Sequence, residues 1–215
     1  MKYILFDLDG TITDPKPGIT KSVQYALRAF GIEVEDPDSL CSFIGPPLMK
    51  SFQEYYGFDE AAAKKAVEKY REYFSVTGLY ENAVIEGMEL LLSRLRQEGK
   101  LLIVATSKPE YFAKKILEHF HLDGYFTDIC GSELDGRRTA KEEVIRYALE
   151  RNKISDLKDA VMVGDRLHDM EGAKAVGMAC VGVLFGYGSR EELLEAGADR
   201  IAATVEEVYE ILTAR

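Results

Sequence analysis

Tyr3-Ile4-Leu5-Phe6-Asp7-Leu8-Asp9-Gly10-Thr11, near the start of a 215-residue chain, decides how the rest is read. Four large apolar residues run without a break and end in acids and a glycine. Such a run fits a strand buried on both faces, as in a parallel sheet. The shape returns at Leu101-Leu102-Ile103-Val104-Ala105, at Ala160-Val161-Met162-Val163 and at Ala179-Cys180-Val181-Gly182-Val183. Tyr125 to Cys130 repeats it less fully.

Helical patterns separate these runs. Met88, Leu91, Leu92 and Leu95 recur at three- and four-residue steps, and Gly99 supplies a stop. Pro109 opens a second helix with Phe112, Ile116 and Phe120 on one face. Two more are expected over 139–152 and 169–176. Strands alternating with helices predict an α/β fold, a parallel sheet with helices on both faces. From Pro15 to Asn82 the alternation breaks off. Ile19, Val23, Ala26, Leu27 and Phe30 keep helical spacing, as do Ala62, Ala66, Tyr70, Tyr73 and Phe74. Phe43-Ile44-Gly45-Pro46-Pro47-Leu48 between them cannot lie inside a helix. Residues 15–82 therefore read as an all-helical insertion, with the aromatic stripe as its core. Residues 1–14 and 83–215 form the sheet domain.

Apolar residues make up 47% of the chain, enough for a full core, and the net charge of −10 opposes nucleic-acid polymers and anionic membranes. A small anion held by a local cluster of cations remains compatible with that charge. Cys41, Cys130 and Cys180 are too scattered for a zinc or redox pair and suit a reducing compartment. No apolar run is long enough to span a bilayer. A cytoplasmic location is expected, with the chain a monomer or weak homodimer.

In parallel sheets ligands bind beyond the carboxyl ends of the strands. Three such ends are polar here: Asp7 and Asp9; Thr106, Ser107 and Lys108; Gly164, Asp165 and, four residues on, Asp169. If these strands are neighbours, four carboxylates converge. Their mutual repulsion calls for a cation, and all-oxygen ligands favour Mg²⁺. An Asp-x-Asp pair can divide phosphoryl transfer between nucleophile and acid/base. Thr106 and Ser107, just before a helix, can hold phosphoryl oxygens through hydroxyl and backbone N–H groups. A lysine must balance the charge, and Lys108 and Lys141 are both candidates.

The chain resembles the haloacid-dehalogenase-like hydrolases. Asp7-Leu8-Asp9-Gly10-Thr11 is similar to their first motif and Ala105-Thr106-Ser107-Lys108-Pro109 to their second. Lys141 stands where the third-motif lysine is expected, and Gly164-Asp165-Arg166-Leu167-His168-Asp169 matches the fourth. The resemblance implies a Rossmann-like core with a helical cap over 15–82. It implies Asp7 as nucleophile and metal ligand, and Asp9 as acid/base with its backbone carbonyl on Mg²⁺. Thr106 and Ser107 would bind the phosphoryl group, Lys141 would pair with Asp7 and phosphate, and Asp165 and Asp169 would bind Mg²⁺. Relatives often have Asn at position 107, so only the backbone role of Ser107 carries over. Thr13 to Ser22 and Phe43 to Leu48 look like the 5′-nucleotidase and phosphoglycolate-phosphatase branch. The expected reaction is Mg²⁺-dependent hydrolysis of a small phosphomonoester, a nucleoside 5′-monophosphate or phosphoglycolate, through an aspartyl-phosphate. Lys50, Gly45, Pro46 and Pro47 are expected to border the substrate. Three rivals stand beside this reading. A dehalogenase would not need Asp9. A sugar-phosphate mutase would keep the phosphoryl group. The third is a phospho-accepting signalling module, which would lack the helical insertion, or a catalytically silent binding protein.

Overall fold

The computed structural model describes residues 1–214. Its contacts divide the chain into two compact units, Met1–Asp14 with Val84–Arg215, and Pro15–Ala83.

The first unit is built on a six-stranded parallel sheet. β1 (Tyr3–Phe6) pairs on one side with β4 (Leu101–Pro109) and on the other with β6 (Ala160–Gly164). β5 (Asp128–Ser132) flanks β4, and β7 (Ala179–Val183) and β8 (Arg200–Ala202) extend the other edge, giving the order β5-β4-β1-β6-β7-β8. The two-residue strands β2 (Thr13–Asp14) and β3 (Ala83–Val84) stand where the chain leaves the unit and returns to it.

Both faces are covered, which explains the unbroken apolar runs. Leu5, Ile103, Ala105, Met162 and Cys180 share one face. They pack against Val144, Ile145 and Ala148 of α6 (Lys141–Arg151), Met170 and Ala173 of α7 (Leu167–Val176), and Leu193 of α8 (Arg190–Glu195). Ile4, Phe6, Leu102, Val104, Val161 and Val163 alternate with these and point to the other face. Connections running the opposite way along the sheet place α4 (Met88–Gln97) and α5 (Glu110–His119) there, with α9 (Val205–Thr213) against α4.

Two expectations shift. The strand expected over Tyr125–Cys130 starts at Asp128, because Asp123–Tyr125 forms a 3₁₀ turn. Arg96 holds that turn by donating to the Tyr125 carbonyl. Pairing with β4 then begins at Ile103 opposite Asp128. The helix expected from Asp169 begins at Leu167, because Asp169 sits in its first turn and accepts the Arg166 N–H.

The second unit is helical: α1 (Lys16–Arg28), a 3₁₀ segment (Pro37–Phe43), α2 (Leu48–Tyr56), α3 (Glu60–Tyr73) and a π turn (Phe74–Gly78). Its core is aromatic. Phe43 meets Phe52 at 5.0 Å between ring centres, and Tyr70 stacks on Phe74 at 5.2 Å. Tyr73 is half-buried and donates to Glu81. Helix α1 lies so close to the π turn that a Cβ on Gly18 would stand 1.9 Å from the Gly78 carbonyl oxygen. Only glycine fits there. Among the described residues, no helix is long and apolar enough to cross a membrane.

Candidate active site

The first, second and fourth motifs sit at or near the carboxyl ends of β1, β4 and β6. Asp7 directly follows β1, and its N–H donates to the Val163 carbonyl of β6. After Asp9 the chain turns back through Gly10 at φ 79°. A side chain there is excluded twice: the left-handed backbone disfavours it, and a Cβ would lie 2.2 Å from an Asp165 carboxylate oxygen. Thr106, Ser107 and Lys108 lie in an irregular stretch of β4. Four steps on β4, Ala105 to Pro109, run against two on β5, Cys130 to Ser132. The surplus residues bow out of the ladder, as at a β-bulge. Ser132 Oγ donates to the Ser107 carbonyl at 2.8 Å and pins the bow.

Four aspartates converge there, all buried. One carboxylate oxygen from each of Asp7, Asp165 and Asp169 lies within 4.8 Å of the others. Lys141, at the first turn of α6, reaches into the cluster with a side chain only 4% exposed, which excludes a solvated surface lysine. Its Nζ stands 2.8 Å from Asp7 Oδ1, 2.7 Å from Asp169 Oδ1 and 3.1 Å from the Ala105 carbonyl oxygen, to which it donates. Asp9 is held by the second candidate lysine. Lys108 Nζ lies 2.7 Å from both of its oxygens. The sequence left Lys108 and Lys141 as alternatives; the structure brings both to the strand ends, on different aspartates.

Charge does not balance within this cluster. Four carboxylates face two ammonium groups, so full ionisation leaves two negative charges in a buried site. Burial pushes the Asp165 carboxyl well above the usual range, with Asp169 and Asp7 adding to it. Burial likewise raises Asp169 to about 6 despite the opposing pull of Lys141. Asp9 is also raised, by burial, with Lys108 opposing. Burial disfavours the Lys141 charge, yet Asp169 and Asp7 outweigh it and keep the ammonium protonated. Asp7 Oδ1 and Asp169 Oδ1 are buried without a well-aligned hydrogen bond; Lys141 is near enough for ion pairing but off the hydrogen-bond direction. Excess negative charge, poorly satisfied oxygens and an all-oxygen donor set fit a divalent cation such as Mg²⁺.

Several supporting residues were not legible as such. Thr11 Oγ1 donates to Asp165 Oδ1 at 3.1 Å, and the Tyr187 N–H donates to Asp165 Oδ2 at 2.8 Å. Gly186 and Gly188 flank Tyr187, and a Cβ on either would run into Asp165 at 2.3 and 2.1 Å. The Gly-Tyr-Gly spacing was the one available signal. Gly172 of α7 leaves the space along which Lys141 extends; a Cβ there would be 2.9 Å from Lys141 Cγ. Lys50 is exposed on α2 of the helical unit.

Comparison with known proteins agrees with this arrangement. The family described as haloacid dehalogenase-like hydrolase matches residues 4–183. A 5′-nucleotidase of Pseudomonas aeruginosa is 54% identical over 88% of this chain and 86% of its own length. The tyrosine-protein kinase PtkA of Mycobacterium tuberculosis is 38% identical over 98% of this chain and 72% of its own. The crystal structure of a predicted phosphatase from Clostridium acetobutylicum superposes with a TM-score of 0.96 at 52% identity, covering 98% of this chain and 97% of that one. The ordered motifs, the sheet and the helical insertion have one common explanation: the chain belongs to the haloacid dehalogenase-like hydrolases.

Proposed function

We propose that this chain is a Mg²⁺-dependent phosphomonoester phosphatase acting through an aspartyl-phosphate on a small metabolite, a nucleoside 5′-monophosphate or phosphoglycolate. The observation that carries this reading is the convergence of Asp7, Asp165 and Asp169, with Lys141 paired to Asp7 and Asp169 and Lys108 paired to Asp9.

Thr106 holds the phosphoryl group. Its hydroxyl oxygen accepts the Lys108 N–H at 3.3 Å, which leaves the hydroxyl proton to donate to a phosphoryl oxygen. The Ser107 N–H supplies a second donor. An Asp7 carboxylate oxygen then forms a bond to phosphorus as the ester bond breaks. The departing alkoxide takes a proton from Asp9, which burial has pushed toward its protonated form. Asp9 next removes a proton from a water that attacks the aspartyl-phosphate, and inorganic phosphate leaves with Asp7 restored. Lys141 offsets negative charge beside Asp7 throughout. Asp7, Asp165, Asp169 and the Asp9 backbone carbonyl would hold Mg²⁺, which when bound supplies the charge neutralisation that lets the nucleophile and phosphate approach. The helical unit, which carries Lys50 and the Gly45-Pro46-Pro47 turn, is proposed as the cap domain.

Release of inorganic phosphate from nucleoside monophosphates, phosphoglycolate and sugar phosphates tests the reading. Asp7→Asn is expected to lower release by roughly 10³-fold or more, and chelator is expected to abolish it. Full release from Asp7→Asn, or in excess chelator, rejects the mechanism. Phosphoryl transfer without free phosphate would point to a mutase, or to a protein acceptor as the name of the PtkA relative suggests.

A further inference from the structure

Tyr187 sits in the loop between β7 and α8 and holds a partner at each end. Its backbone N–H donates to Asp165 Oδ2, and its phenol donates to the Asp14 carboxylate. Asp14 is the residue at which the chain leaves the sheet unit for the helical insertion. The loop has little freedom to place Tyr187 elsewhere. Glu192, in the first turn of α8, accepts from Arg166 Nε and from the Leu167 N–H, both at 2.9 Å. That ties the far end of the loop to the start of α7, next to Asp165. Gly186 lets the near end lie against the Gly10 carbonyl, where a Cβ would stand 2.4 Å from its oxygen. Thr11 fixes the other Asp165 oxygen. Each oxygen of this carboxylate thus has one donor from the protein, and the Tyr187 donor is the one that leads to Asp14.

We propose that Tyr187 is a positioning residue whose bond to Asp14 sets how Asp165 is presented to Mg²⁺. Second partners of metal-binding carboxylates orient the ligand and hold its remaining lone pairs toward the ion. A bond that reaches Asp14 also makes that orientation depend on the strand through which the chain exits toward the insertion. The inference rests on the reading of Asp165 as a Mg²⁺ ligand.

Calorimetric titration of the full chain with MgCl₂ alone, without substrate, tests both layers. Tyr187→Phe removes the phenol and keeps the backbone N–H; it is expected to weaken Mg²⁺ binding about tenfold, the lower end of what such partners contribute. Asp14→Ala is expected to do the same, Asp14→Asn to bind like the unaltered chain because an acceptor remains, and the double variant Y187F/D14A to be no weaker than either single change. Melting in chelator gives the control, with Tyr187→Phe expected to melt close to the unaltered chain. A general loss of stability would lower melting and leave Asp14→Asn without its restoring effect. Tyr187→Phe binding Mg²⁺ as tightly as the unaltered chain, or losses that add in the double variant, overturns the clasp alone. An unaltered chain that binds no Mg²⁺, or Asp165→Asn that binds it equally well, overturns the metal reading and the clasp with it.

Discussion

Lys141 touches two aspartates and a backbone carbonyl with one ammonium group. Methionine would fill the space and remove the charge. Lys141→Met is therefore expected to lower phosphate release by about 10²–10³-fold, comparable to losing one preorganised electrostatic group. Arginine is not a remedy, since its planar fork cannot occupy the point between Asp7 and Asp169; steady-state kinetics of both variants decide this. Cys130 offers a prediction away from the chemistry. Burial, aided by the neighbouring Asp128, pushes its thiol from 9.0 up to about 12. An acid whose folded value is raised adds stability that is complete below the unfolded value and lost as pH climbs toward the folded one. Stability should fall between pH 9 and 12, and urea melts of Cys130→Ala should show a smaller fall over that interval. Alkylation at pH 9 should modify half-buried Cys41 and spare Cys130.

At the scale of elements, α6 and α7 cross where Gly172 meets Lys141. Gly172→Ala gains about 1 kcal/mol in helix propensity. Overpacking costs about 1–3 kcal/mol, and the new Cβ would face Lys141 Cγ and the Glu142 backbone nitrogen at 2.9 and 3.0 Å. The clash wins, because a backbone atom is among those that must move. Denaturant melts are expected to show net loss of stability, and kinetics a loss of activity with it. Double-sided burial explains which elements could be read in the sequence. β1, β4, β6 and β7 carry unbroken apolar runs because helices cover both faces. β8 is three residues at the sheet edge, opens with exposed Arg200 and has no such run. Helix α2 escaped notice behind its two prolines, where Pro47 is the residue just before Leu48. The side chains proposed to be catalytic stood out in the sequence because the chemistry expected of them requires particular residue types. Tyr187 was not, because its contact with Asp165 is made by a backbone N–H that every residue except proline possesses.

For the whole molecule, the buried negative charge is the dominant electrostatic fact. A ligand that binds only the folded state stabilises it by about 2.7 kcal/mol at a hundredfold excess over its dissociation constant. Mg²⁺ is therefore expected to raise the melting temperature by several degrees. Asp165→Asn should melt at the same temperature with or without Mg²⁺; a shift as large as that of the unaltered chain would argue that the ion binds elsewhere. The order of strands in the sheet bears on how the protein is made. The central strand, β1, emerges from the ribosome long before either flanking partner, since β4 begins at Leu101 and β6 at Ala160. At about 5–20 residues per second, about 5–20 seconds pass before β4 follows, with Tyr3-Ile4-Leu5-Phe6 unpaired. The contiguous helical unit, Pro15–Ala83, can complete itself meanwhile. The segment that anchors Asp7 and Asp9 is thus exposed to wrong pairing during translation until β4 and β6 have followed it.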